Sequence, residues 1–234
     1  MTGLSRLTRV ELQLLLREGS VFFTLAIPLF VLVIFGITSD GSDTRLPAAV
    51  VALTVALKAL YEVPTSLGTY RERGLLRRLS TTPARPATLL IAQLIVQTIL
   101  LVVAVALLLG VATAALGIAG PRHLPWSLAT FLLGASAMFA IGLFLAAVAP
   151  SARMATGVGV LLYFPLAFLG GVTVPRELMP SLLARIGDFT PLGAFRQALH
   201  DSWSGAAPQP LHLVVMAAYA AVIGIAAIKF FRWE

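Results

Sequence analysis

The sequence predicts an all-α integral membrane protein that crosses the bilayer six times, and three observations predict it. The 234 residues are 59% hydrophobic and only 12% charged, where a soluble domain carries about a quarter charged residues. Six apolar runs each reach the ~20 residues that a helical crossing needs. Basic residues gather in alternate loops, the asymmetry that sets orientation in a membrane. So much apolar surface exceeds what one water-exposed core could bury, and the mean hydropathy of +0.94 agrees. The long Leu/Ala/Val runs lack the period-2 alternation of barrel strands, so the spans are read as helices. The chain, 1–234, reads as a single transmembrane domain.

In chain order, residues 4–18 come first. Leu7, Val10, Leu14 and Leu15 share a face away from Arg6, Arg9, Gln13 and Arg17, the pattern of an in-plane interfacial helix. The first span, 19–38, is too long for a signal peptide, and no small-residue cleavage pattern follows it. Spans two and three are 46–67 and 87–116; the latter exceeds a straight crossing and is expected to tilt or project. Spans four, five and six are 126–149, 155–174 and 211–231. Pro165 is expected to kink span five, because it removes a backbone bond and crowds the preceding turn. Gly142 and Ala146, and Ser151, Ala155 and Gly159, recur every four residues. Such small faces let helices approach closely, here within one subunit. The segment 175–210 is too long for a turn and too apolar for a linker. Leu178, Leu182, Leu183, Ile186 and Phe189 form one stripe, and Leu192, Phe195, Leu199 and Trp203 another, separated at Gly187 and Pro191. It is expected to be a re-entrant hairpin of two short helices in the outer leaflet.

Counting Lys and Arg fixes the orientation. Arg6, Arg9, Arg17, Arg71, Arg73, Arg77, Arg78, Arg85, Arg153, Lys229 and Arg232 fall on one side, eleven in all. Arg45, Arg122, Arg176, Arg185 and Arg196, five in all, fall on the other. Both termini are therefore expected in the cytoplasm. The net charge of +7 belongs to those loops and not to a nucleic-acid surface. Arginine-rich, alanine-rich composition points to a bacterial source and hence the inner membrane.

Three local features carry chemistry or exclude it. From Thr69 to Ser80 the chain has no proline, and Leu75, Leu76 and Leu79 recur opposite the arginines until Pro83 and Pro86 end the pattern. This is a short cytoplasmic amphipathic helix, either a lipid-touching anchor or a docking element for a protein. Within span two, Lys58 and Glu62 lie four residues apart on one helix face. They are either part of a translocation path or a self-neutralising pair between helices. Asp188, Arg196, His200 and Asp201 bring no nucleophile to a base and read as a solvated rim. His123, His200 and His212 lack metal-ligand spacing. The chain has no cysteine, so no thiolate chemistry or disulfide is available. No phosphate-binding loop is present, since neither Lys58 nor Lys229 follows a glycine.

The stretch "RERGLLRRLSTTP" resembles the Arg-Glu-Arg-Gly-(Thr)-Leu-x-x-Leu-x-x-(Thr/Ser)-Pro signature of type-2 permeases of ATP-binding-cassette exporters. "LREGSVFFTLAIPLFVLVIFG" is similar to that family's first span, and "FLGGVTVPRELMPSLLARIGDFTPLGAFRQALH" to the segment before its last. Where the family often opens span three with Gly-Lys, this chain has Ala92 and Gln93. The resemblance implies a permease subunit that is not itself an enzyme. ATP and Mg would be bound by a partner ATPase subunit, and this chain would hold no cofactor or metal. It also implies a second permease copy, in a homodimer or heterodimer, surrounded by membrane lipids. Arg71, Glu72, Arg73, Gly74, Leu75, Leu76, Arg77, Arg78 and Leu79 would form the coupling helix that presses on the ATPase. The cargo is expected to be hydrophobic or amphipathic (a drug, an antibiotic or a lipid-like molecule), with a polysaccharide as the alternative. A different class would be a self-sufficient secondary carrier or an assembly factor; a carrier would predict inverted repeats, and spans one to three do not match spans four to six.

Overall fold

The computed structural model describes residues 20–37, 43–72 and 86–230, with side chains at 25–37, 43–72 and 93–230. The expected interfacial helix 4–18 and the stretch 73–85 lie outside the described residues. Every described element is helical. They are α1 (Ser20–Ile37), α2 (Arg45–Glu72), α3 (Pro86–Ala114), α4 (Leu124–Val148) and α5 (Ala152–Leu169), then α6 (Ser181–Asp188), α7 (Pro191–Ser204) and α8 (Pro210–Phe230). Each apolar run read as a span is one of these helices. Five of them (α2, α3, α4, α5 and α8) are long and apolar enough to cross a membrane. In α1 the apolar part with described side chains, Leu25–Ile37, is shorter than a crossing needs.

Helix ends follow local chemistry. Pro86 opens α3, where its missing N–H costs nothing. The Ser151 side chain accepts from the Met154 N–H at 3.2 Å and caps α5. Thr190 does the same for α7 by accepting from Gly193 N–H at 3.1 Å, with Pro191 following it. Span five ends earlier than hydropathy suggested, at Leu169 and not 174. Gly171 takes φ +71°, a left-handed turn that glycine adopts without strain, and the apolar residues beyond it are not helical. Pro165 lies inside α5, which continues through it. Span two is longer than expected, and its last turn, at Arg71 and Glu72, is where the amphipathic stretch begins.

The axis of the bundle is α2. In its most apolar window 78% of residues are buried, against 17% in α5 and 22% in α8. Ala52, Val55, Ala56, Ala59, Leu60 and Val63 are all nearly inaccessible. The outer helices instead display apolar side chains such as Phe30, Leu161 and Ile228, which suits a lipid surround.

One irregularity organises the packing on this axis. Residues Lys58–Glu62 form a π turn, with the Val63 N–H bonded to the Lys58 carbonyl. Its cause sits in the sequence. Pro64 has no N–H to give to the carbonyl four residues back, Leu60, or five back, Ala59. Glycines on the neighbouring helices meet those carbonyls. A Cβ added to Gly142 of α4 would lie 2.0 Å from the Ala59 oxygen, and one on Gly159 of α5 would lie 1.8 Å from the Leu60 oxygen. The hydrogen that occupies each Cβ direction therefore points at a carbonyl, a weak Cα–H···O contact. The small faces expected around Gly142 and Gly159 do join helices within one chain, and Ala146 and Ala155 are buried beside them.

Substituting alanine at Gly159 should therefore drive a methyl into backbone and cost about 1–3 kcal/mol. Gly157, two residues away on α5, has nothing within 4 Å of an added Cβ, so Gly157→Ala should be neutral. Thermal melts of the two variants in detergent check this, with a lowered midpoint expected for Gly159→Ala alone.

Candidate functional site

The π turn sorts its side chains between interior and surface. Lys58 and Glu62 turn inward, 2% and 6% exposed, with Nζ and Oε2 2.5 Å apart. Tyr61 turns outward and is 42% exposed. Removing two charges from water is costly, and contact between them offsets part of that cost. The second carboxylate oxygen of Glu62, Oε1, has no hydrogen-bond partner among the described residues. One turn on, Ser66 Oγ donates to the Glu62 carbonyl at 2.6 Å and receives a bond from Gln97 Nε2 at 3.3 Å. Gln93 and Gln97 of α3 are both buried, and Gln93 Nε2, Gln93 Oε1 and Gln97 Oε1 lack partners among the described residues. The expected pair is thus in contact and enclosed by its own chain, and it sits in a polar strip. The sequence hinted at that strip only through Gln93, where the resembling family often carries lysine.

On the outward side of the same turn lies an apolar cavity of about 320 Å³ between α1, α2 and α5. Ile27, Leu57, Tyr61, Val160, Tyr163 and Phe164 line it. Thr65 of α2 and Thr156 of α5 hydrogen-bond just beyond it at 2.7 Å.

Toward its C-terminus α2 grips the turn between α4 and α5. Arg71 donates to the Ala146 carbonyl at 3.3 Å and to the Ala149 carbonyl. Glu72 Oε1 accepts from the Ala152 N–H at 2.7 Å. A cation thus meets the C-terminal carbonyls of α4 and an anion meets the first N–H of α5, each matching the helix dipole it faces. Gly68 permits the approach, since its added Cβ would lie 2.5 Å from the Ala152 Cα. Arg71 and Glu72, which the resemblance assigns to a coupling helix, are thus also bonded to this chain's own α4–α5 turn. Arg73, Gly74, Leu75, Leu76, Arg77, Arg78 and Leu79 lie outside the described residues.

At the opposite end of the bundle, of the four residues expected to form a solvated rim, Arg196 on α7 is buried, 6% exposed, while Asp188, His200 and Asp201 are half-buried. His212 on α8, beside them, is also buried. The cause is that α7 packs its Leu192, Phe195, Leu199 and Trp203 stripe into the core, which carries Arg196 inward. Arg196 Nε donates to the Gly170 carbonyl at 2.6 Å, closing the C-terminus of α5. Burial, with the Arg176 charge behind it, pushes the Arg196 guanidinium below its ordinary range. Asp188 pairs with Arg176 at 2.5 Å and lies 3.4 Å from His212 Nε2. Burial pushes the Asp188 carboxyl up, but the Arg176 hydrogen bond and charge, joined by His212, outweigh it and hold it below the usual carboxylate value. His200 Nδ1 lies 3.4 Å from the Thr44 hydroxyl. Amphipathic spacing predicted two short helices here, and α6 and α7 are two short helices, but spacing did not give the burial of Arg196.

If the buried pair neutralises itself, Lys58→Met should destabilise the chain by about 3–5 kcal/mol, because Glu62 is stranded. Lys58→Met with Glu62→Gln should recover most of that loss. Melting midpoints and size-exclusion profiles of the single and double variants measure the difference.

Compared with known proteins, the chain matches a family model described as ABC-2 type transporter over residues 2–202. A search of curated proteins finds no match.

Proposed function

The chain belongs to the ABC-2 type transporter family, and we propose that it is the membrane subunit of an ATP-driven exporter. The family is one of permeases and not of ATPases, so the energy enters through a separate ATPase subunit that binds ATP and Mg. The observation that carries the reading is the family match across most of the chain, joined to a bundle of long apolar helices. In this reading α1 also crosses the bilayer and brings the spans to six, both termini are cytoplasmic, and the hairpin α6–α7 lies in the outer leaflet of a bacterial inner membrane. Two copies of the permease face each other across the path.

The geometry supports a route for force. In this reading the stretch 71–79 receives the ATPase's closure, and its first two residues, Arg71 and Glu72, are bonded to the α4–α5 turn. Motion of the loop is then passed to α2, α4 and α5 together and reaches the cavity walls at Tyr61, Val160 and Phe164. The cavity's apolar and aromatic lining suits a hydrophobic or amphipathic cargo, a drug, antibiotic or lipid-like molecule. Lys58 and Glu62 act in this scheme as an internal brace behind the cavity wall.

Reconstitution with the partner ATPase tests the reading. Leu75→Asp with Leu79→Asp should abolish pull-down of the ATPase, because buried apolar anchors carry most of an interface's energy. Glu72→Gln should leave pull-down intact and lower coupled ATP hydrolysis severalfold, since it loosens the link behind the interface. Full binding and full coupling in both variants would refute the loop's role.

A further inference from the structure

A second cavity, of about 340 Å³, opens at the hairpin end of the bundle, distinct from the apolar one beside Tyr61. Its walls come from α1, the start of α2, the turn after α5, and α7. Val31, Phe35, Leu46, Val50 and Leu53 give it one apolar side. Arg45, Arg176 and Arg196 line it against only two carboxylates, Asp43 and Glu177.

The three arginines are not equivalent. Arg45 is paired with Glu177 at 3.3 Å, both of them exposed, and its backbone N–H donates to Asp43. Arg176 is paired with Asp188 at 2.5 Å. Arg196, the most buried of the three, has no carboxylate within ion-pair distance among the described residues. Its Nε goes to the Gly170 carbonyl and its Nη2 to Gln197 Oε1 at 3.2 Å. Gln197 in turn reaches Asp201 at 3.4 Å, so the nearest negative charge on α7 is one amide removed. Arg196 Nη1 has no hydrogen-bond partner among the described residues. The C-terminus of α5 offers about half an elementary charge of compensation. A buried guanidinium remains charged and needs more than that.

We propose that this cavity binds an amphipathic anion. A phosphate or carboxylate head takes the free edge of Arg196, and an acyl or aryl body lies along Val31, Phe35, Leu46 and Leu53. Planar guanidinium recognises both heads through paired N–H bonds. Gly171 helps to hold the guanidinium in place. A Cβ there would lie 3.1 Å from the Arg196 Nη2, so a side chain at this position would require the guanidinium to shift by a few tenths of an ångström. Two sources share this chemistry, an anionic phospholipid of the surrounding leaflet and an anionic molecule in transit. The site stands on the cavity and its charges, not on the export reading, and it is testable without the ATPase.

The experiment is a thermal melt of the full chain purified in dodecyl maltoside, titrated with dodecyl phosphate and, as control, dodecanol. Dodecyl phosphate should raise the midpoint saturably and dodecanol should not. Arg196→Gln should weaken the response roughly tenfold or more. Because that variant also loses the bond to Gly170, Ala49→Phe provides a second arm. It fills the cavity from a lining position without touching Arg196, and should abolish the response. Glu177→Gln, an exposed change, should tighten binding about two- to fivefold by removing a competing carboxylate. Nanodiscs then separate the sources. A rise with phosphatidylglycerol over phosphatidylcholine identifies lipid, and a rise with dodecyl phosphate inside phosphatidylcholine discs identifies a non-lipid anion. A response that is equal in wild type, Ala49→Phe and Arg196→Gln, or absent in wild type, would overturn the proposal.

Discussion

In hydrocarbon every polar backbone group must find its partner inside the protein, and the rest of this bundle is arranged around the point where α2 comes closest to breaking that rule. Pro64 withholds an N–H in the middle of the most buried helix. The chain answers with a π turn and with two glycines, Gly142 and Gly159, whose Cα hydrogens face the Ala59 and Leu60 carbonyls. Only glycine permits that distance, so α4 and α5 are drawn tightly onto α2 at this level. The same turn places Lys58 and Glu62 on the interior and Tyr61 at the surface. Packing, charge burial and cavity wall are thus consequences of one backbone irregularity.

The three helices joined there are joined again at the end of α2. Arg71 and Glu72 fasten it to the α4–α5 turn, while Thr65 and Thr156 bond between the two levels. Local stability rises with buried contacts and satisfied polar groups, and α2 is rich in both. The outer faces of α1, α5 and α8 present apolar side chains outward. A central rod fixed at two levels and an apolar periphery form a lever suited to carrying a displacement from a loop to a cavity wall.

Much of this was legible in the sequence, and what was not has a physical reason. Apolar run length revealed the helices, and Gly187 with Pro191 marked the break between α6 and α7. The four-residue spacing of Lys58 and Glu62 revealed a pair, because that contact is local. Span five was placed too far along, since hydropathy counts Val172 and Val174 but ignores the backbone at Gly171. The π turn escaped notice although Pro64 was in view, because the carbonyls it leaves short are met by helices distant in sequence. Arg71's grip on Ala146 and Ala149 spans 75 and 78 residues, and no spacing rule reaches so far. Arg196 looked like a surface residue because an amphipathic stripe gives a direction but not a depth.

The central claim is that α2, α4 and α5 move as one body. Because the chain has no cysteine, Thr65→Cys with Thr156→Cys introduces a single possible internal disulfide, at two positions whose hydroxyls are 2.7 Å apart. The measurement is ATP hydrolysis by the reconstituted complex before and after oxidation, and again after reduction. A rigid lever predicts efficient cross-linking with hydrolysis unchanged. Hydrolysis that falls on cross-linking and returns on reduction would mean that α2 and α5 must slide past one another, and would contradict the account.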